Sequence, residues 1–223
     1  MDLSPIWLTL KLAAITTLIL LVIGVPLAWW LSKKRSLMKI VIEAVITMPL
    51  VLPPSVLGFY LLLAFSPQHG FGHWLQQTFD VQFVFSFKGL VLASVIYSMP
   101  FMISPVKSAF QQLPVSLAQA SYTLGKSQWQ TFRYVLLPNI KPSLLTATVL
   151  TFAHTLGEFG VVLMIGGNIP GVTRVASIAV YDSVEQMDYA AANNYSLILF
   201  AITFVMVTTV FIYNKYQVKS PLE

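Results

Sequence analysis

Residues 119–138 read QASYTLGKSQWQTFRYVLLP, a polar stretch set between long apolar ones. Pro114 suits the first position of a helix, and Gly125 suits the left-handed residue that ends one. Ser127 and Gln130 have the spacing of a capping box for a second helix, which Pro138 ends near its own position. Within that second helix Trp129, Phe132 and Leu136 recur on one face, with Gln128, Gln130 and Arg133 elsewhere. The segment therefore reads as a helix-turn-helix with an apolar stripe. Two destinations fit such a stripe: the bilayer surface, where amphipathic helices lie, or a socket on a partner protein.

The flanks decide where this segment sits. The chain has 223 residues, of which 57% are hydrophobic and 9% charged, with mean hydropathy +0.76. A soluble domain carries about 25% charged residues, so the composition is that of a polytopic membrane protein. Residues 12–32, 44–65, 89–106, 142–157 and 195–214 contain no Asp, Glu, Lys or Arg. Crossing ~30 Å of hydrocarbon takes about 20 apolar residues. The expectation is an all-α fold with about five transmembrane helices, the fourth complete only if it continues past Glu158. The absence of cysteine excludes disulfides and thiolate metal sites. With no internal repeat or linker, residues 1–223 read as a single transmembrane domain.

Charge sets the expected orientation. Lys33, Lys34, Arg35 and Lys39 follow the first apolar stretch; Lys107, Lys126, Arg133 and Lys141 border the third and fourth; Lys215 and Lys219 follow the last. The opposite side has Lys88 and Arg174, diluted by Asp80, Asp182, Glu185 and Asp188. Loops rich in Lys and Arg stay in the cytoplasm, which puts the N-terminus outside, the C-terminus inside and the 119–138 segment on the cytoplasmic face. Residues 1–10, MDLSPIWLTL, carry no positive charge and the basic cluster follows the first apolar run, so that run is expected to remain as a signal-anchor helix. The net charge of +5 is a topology signal, because no soluble domain exists to present it to nucleic acid.

Inside the apolar stretches, residues 47–65, TMPLVLPPSVLGFYLLLAF, carry Pro49, Pro53 and Pro54. Proline removes a donor and clashes one turn back, so this helix is expected to be kinked or broken. The break is either a packing kink or part of a substrate path, since freed carbonyls need neighbouring helices or water. Residues 152–160, FAHTLGEFG, place His154 and Glu158 four apart on one helical face. Ionisable groups in a membrane face a bundle interior or an aqueous path, which leaves an interhelical hydrogen bond and a gate as the two readings. An ionised carboxyl is costly there, so Glu158 should be protonated or paired, with His154 and Arg174 the nearest candidates in sequence. Lys11 and Lys107 lie near span ends, where they can snorkel.

Two motifs mislead. Ala120 to Ser127, ASYTLGKS, comes close to a phosphate-binding loop, but it follows a helical segment rather than a buried strand, so nucleotide binding is not expected. His69 and His73 flank Gly70 and Gly72, which argue against a helix that would align them; a metal site is not expected there.

The polar segment resembles the signature of ABC-importer permease subunits: Glu-Ala-Ala, three residues, Gly, nine residues, Ile, one residue, Leu-Pro. Gln119, Ala120, Ser121, Gly125, Val135, Leu137 and Pro138 hold those positions, with Gln, Ser and Val as the departures. Over nearly its whole length the chain is similar to molybdate ABC-transporter permeases, through MPLVLPPSVLGFYLL, SFKGLVLA and TLGEFGVVLMIGGNIPGVTR. The Leu-Gly-Glu-Phe-Gly run is shared with sulfate permeases, whereas the compact length and Asn168 to Gly171 favour molybdate. The resemblance implies a type I importer: two permease copies forming a homodimer, two cytoplasmic ATPase subunits, and an external oxyanion-binding protein. It also implies a bacterial inner-membrane location, no cofactor in this chain, and ATP and Mg on the partner ATPase. Residues from about 112 to 141 would then dock the ATPase, with Trp129 in the socket. Pro53, Pro54, His154, Gly157 and Glu158 are the candidates for the translocation path or gate.

Two other classes can be set against this reading. A membrane-embedded enzyme would have only His154 and Glu158 for its chemistry. A stand-alone carrier would usually show inverted repeats, and none is visible.

Overall fold

The computed structural model describes residues 2–33 and 36–218; Lys34, Arg35 and Lys219, used above for orientation, lie outside the described residues. Helix α1 spans Ser4–Ser32, α2 Leu37–Val51, α3 Pro54–Phe65, α4 Gly70–Phe79, α5 Phe87–Gln112 and α6 Val115–Thr123. Then follow α7 Gln128–Asn139, α8 Lys141–Leu156, α9 Gly160–Gly166, α10 Ala176–Glu185 and α11 Tyr189–Val218.

Three helices, α1, α5 and α11, are each long and apolar enough to cross a membrane. Two more spans arise only when α2 with α3, and α7 with α8, are taken as bent pairs, at 116° and 80°. Among the described residues this gives three spans, or up to five if each bent pair counts as one, against about five expected. At the first break, Leu52 is extended, as a residue before proline must be, and Pro53 and Pro54 open α3. Pro49 stays inside α2.

The fourth apolar stretch departs from expectation. Helix α8 stops at Leu156, and α9 starts only at Gly160. Glu158 therefore sits in a break and does not share a helical face with His154. Gly70 and Gly72 also mislead, because α4 forms there with His69 at its start. A Cβ at Gly72 would collide with the Ser66 carbonyl oxygen, so glycine serves the return of α4 against the end of α3. Among the described residues no group of three or more metal-ligating side chains forms.

Proline also leaves marks that were not anticipated. Leu20–Gly24 and Phe132–Leu136 are π-turns, and they lead into Pro26 and Pro138. A widened turn relieves the clash between a proline ring and the carbonyl one turn back, so both helices continue.

Helix α5 is the centre of the bundle, packed by α1, α2, α8 and α9. One core joins the later half of α1 to α5 through Leu20, Ala28, Met102 and Val106, and extends to Phe132 and Ala147. A second, at the other end, gathers Leu12, Leu61, Leu90, Val161 and Ile165. Lys107 does not snorkel: its side chain is 11% exposed and forms an ion pair with Glu43 of α2. Lys11 remains exposed, its ammonium 4.9 Å above the Phe87 ring.

Candidate functional site

The signature residues form one end of the molecule. Helix α6 ends in a Schellman motif, with Gly125 at φ +75°, Gly125 N–H donating to Tyr122 O at 2.9 Å and Lys126 N–H to Ser121 O at 3.1 Å. Pro114 is the cap before this helix, one residue earlier than expected. Ser127 and Gln130 complete the capping box that starts α7.

Ser121, a departure from the signature, is structural. Its buried hydroxyl lies 2.9 Å from that of Thr131, also buried, and joins α6 to α7. Phe132 is 3% exposed and packs 4.6 Å from Trp29, 5.9 Å from Phe110 and 5.0 Å from Trp129. The apolar stripe is thus divided. Phe132 and Leu136 face the core, while Trp129 stays 55% exposed together with Val115, Leu124 and Tyr134. Gln119, Ala120, Gly125 and Pro138 are exposed; Val135 and Leu137 are half-buried.

Lys33 fastens this end to α1. Its ammonium lies 3.7 Å above the Trp29 ring and donates to Gln128 Oε1 at 3.2 Å. Partial burial, with repulsion from Lys39 second, lowers its pKa below the usual lysine value.

The other candidates meet at the two helix breaks. A cavity of about 600 Å³ is lined by Pro54 and Ser55 from the start of α3, Tyr97 from α5, His154 from α8, and the Gly157–Gly160 break. Pro54, His154, Gly157 and Glu158 line this cavity, and Pro53 stands next to it in sequence without lining it. The His154 ring stacks on Phe101 at 3.9 Å and lies 4.9 Å from Tyr97. Glu158 is 4% exposed, and neither of its carboxyl oxygens has a hydrogen-bond partner. Its backbone carbonyl accepts from the Ser177 hydroxyl at 2.6 Å. Arg174 does not fold over it, and instead pairs with Asp182 at 3.5 Å and donates to Asn168 at 2.5 Å. His154 Nε2 is likewise buried and unpartnered.

Sequence reading missed the buried hydroxyls of Ser94 and Ser98 on α5 and Thr155 on α8. Ser98 and Thr155 hydroxyls lie 3.0 Å apart across the α5–α8 contact, and Ser94 Oγ is buried without a partner. Their positions in apolar runs offered a signal, since buried hydroxyls in a span commonly join helices.

A helical membrane bundle with two broken spans and an exposed helix pair at one end is the fold of an ABC importer's membrane subunit. Two solved structures share it at 17% identity: a bacterial ABC transporter for alginate import (TM-score 0.75, 96% of this chain and 79% of that one) and the MetNI methionine ABC transporter (TM-score 0.73, 95% and 94%). Residues 11–220 match the family described as binding-protein-dependent transport system inner membrane component, and the chain belongs to that family. Among similar proteins, the molybdenum transport system permease protein ModB of Azotobacter vinelandii is 49% identical over 86% of this chain and 85% of its own length. The protein of the same name from Haemophilus influenzae is 36% identical, over 93% and 90%. The sulfate transport system permease protein CysT of Escherichia coli K12 is 31% identical, over 85% and 68%.

Proposed function

We propose that the chain is the membrane-spanning permease subunit of an ATP-driven importer that passes molybdate, or the isostructural tungstate, into the cytoplasm. The observation that carries this reading is the 49% identity to a molybdenum permease across most of both chains. A sulfate or thiosulfate permease is the alternative, and the lower 31% identity to CysT disfavours it.

In this reading residues 1–223 act as one transmembrane domain, assembled with a second permease copy, two cytoplasmic ATPase subunits and an external oxyanion-binding protein. The alginate importer offers a precedent for the last, having been solved in complex with a substrate-bound periplasmic protein. The N-terminus lies outside and the C-terminus inside, as the Lys and Arg bias requires. Residues from about 112 to 141 dock the ATPase, which holds the ATP and Mg; this chain needs no cofactor and is not itself the enzyme. Gln119, Ala120, Gly125, Trp129 and Pro138 form the exposed docking surface, while Ser121, Val135 and Leu137 hold it in shape. Exposed Trp129 and Leu124 favour a protein socket, because the hydroxyl bridge and capping box make the pair a rigid lever.

ATP binding would close the ATPase dimer and move α6 and α7 together. Coupling requires that ATP and the loaded binding protein each favour different conformers of the spans. The path runs past the paired breaks at Pro53–Pro54 and Gly157–Glu158, with His154 on its wall, and the binding protein supplies most of the selectivity.

The test is uptake of labelled molybdate into vesicles holding permease, ATPase and binding protein, in competition with tungstate and sulfate. ATP-dependent uptake displaced by tungstate but not by sulfate is the expected result. Displacement by sulfate at equal concentration would favour the alternative, and uptake without ATP or partners would overturn the importer reading.

A further inference from the structure

We propose that Glu158 carries a proton in the resting permease, so that a passing oxyanion meets a neutral acid, and not a carboxylate, in the wall of the path. This rests on the reading of the cavity at the two helix breaks as part of the anion path. Glu158 is 4% exposed and lines that cavity, and both of its carboxyl oxygens are buried without a partner. Ser94 Oγ on α5 is likewise buried without a partner.

An ionised carboxylate in such a place would have lost its water with nothing in exchange, a state proteins avoid by pairing or neutralising the group. Among the described residues of this chain, no cation is placed to pair with it. No Lys or Arg lines the cavity. Lys107 is engaged by Glu43, and Arg174 by Asp182 and Asn168. The titratable groups around the carboxyl are Tyr97 from α5 and His154 from α8. From α10, Tyr181 packs on the adjacent Phe159, and its hydroxyl is bonded to Glu185. His154 makes no ion pair with Glu158, since its Nε2 lacks a partner.

A metal cation is a poor substitute for the proton. A hard cation needs about six oxygen ligands, and among the described residues no three acidic or histidine side chains converge. A proton needs only one oxygen. It also removes the repulsion that the conjugate base would exert on an oxyanion.

Infrared difference spectra of the assembled transporter in lipid near neutral pH, wild type minus Glu158→Gln, test the protonation directly. The expected result is a carboxylic-acid carbonyl band that the variant lacks; a carboxylate signature in its place overturns the proposal. In vesicle uptake, Glu158→Gln keeps neutrality and should stay within about threefold of wild type. A loss of about tenfold in this variant would overturn the proposal as well. Because the chain lacks cysteine, Ser55→Cys with a thiol reagent tests the path separately. Unimpeded uptake after labelling, with the acid band present, would refute the path and leave the protonated acid standing. Blocked uptake with a carboxylate signature would do the reverse.

Discussion

Breaking the Glu43–Lys107 pair should destabilise the bundle unequally, depending on which partner is removed. The pair joins α2 to the central helix α5, and its burial is lopsided: the Lys107 side chain is 11% exposed and that of Glu43 45%. Removing one member of a fully buried ion pair costs about 3–5 kcal/mol, because the other is left unpaired. Glu43→Ala leaves an enclosed ammonium and should approach the lower end of that range, about 3 kcal/mol. Lys107→Met leaves a half-exposed carboxylate that can turn towards water or headgroups, and should cost about 1 kcal/mol. The double variant should recover part of the loss, with a coupling energy of about 1–2 kcal/mol. Reversible unfolding in detergent by denaturant, followed by tryptophan fluorescence and checked by size-exclusion chromatography, gives all four corners of the cycle. Strictly additive single-variant effects would refute the claim that the pair ties α2 to α5, and a larger loss for Lys107→Met than for Glu43→Ala would refute the burial argument.

Two further expectations concern the α6–α7 end. No atom lies within 4 Å of a Cβ built on Gly125, so Gly125→Asp meets no clash and costs only the left-handed backbone, roughly 1 kcal/mol. It should leave insertion intact but weaken ATPase association or uncouple hydrolysis from uptake; normal assembly with normal uptake would make the signature match accidental. In intact cells, Gln128→Cys should react only with reagents that reach the cytoplasm and Gln68→Cys with impermeant reagents outside, and the opposite pattern would refute the orientation and the docking surface together.

Much of this molecule was legible in the chain because the relevant signals are local. A run of apolar residues is long enough to span a membrane or it is not. The capping box at Ser127 and Gln130, the turn at Gly125 and the prolines at 53 and 54 act within a few residues of themselves. Pattern alone therefore announced the helical membrane class, the helix pair and the first break. It erred where a local preference met a distant neighbour: Gly72 looked like a helix breaker until the returning Ser66 backbone explained it.

What only the tertiary structure decided depends on groups far apart in sequence. Glu43 and Lys107 are 64 residues apart, and Ser98 and Thr155 are 57 apart. Hydropathy marks each of these polar groups as costly in a membrane, but it does not tell which of them find partners. The same holds for Glu158. Its sequence announced an ionisable residue near the end of an apolar run, with His154 one turn away and Arg174 beyond. Packing gave Arg174 to Asp182 and set α3 and α5 around the cavity that Glu158 lines. Solvation and pairing are properties of the surrounding volume, and that volume exists only after distant helices have come together.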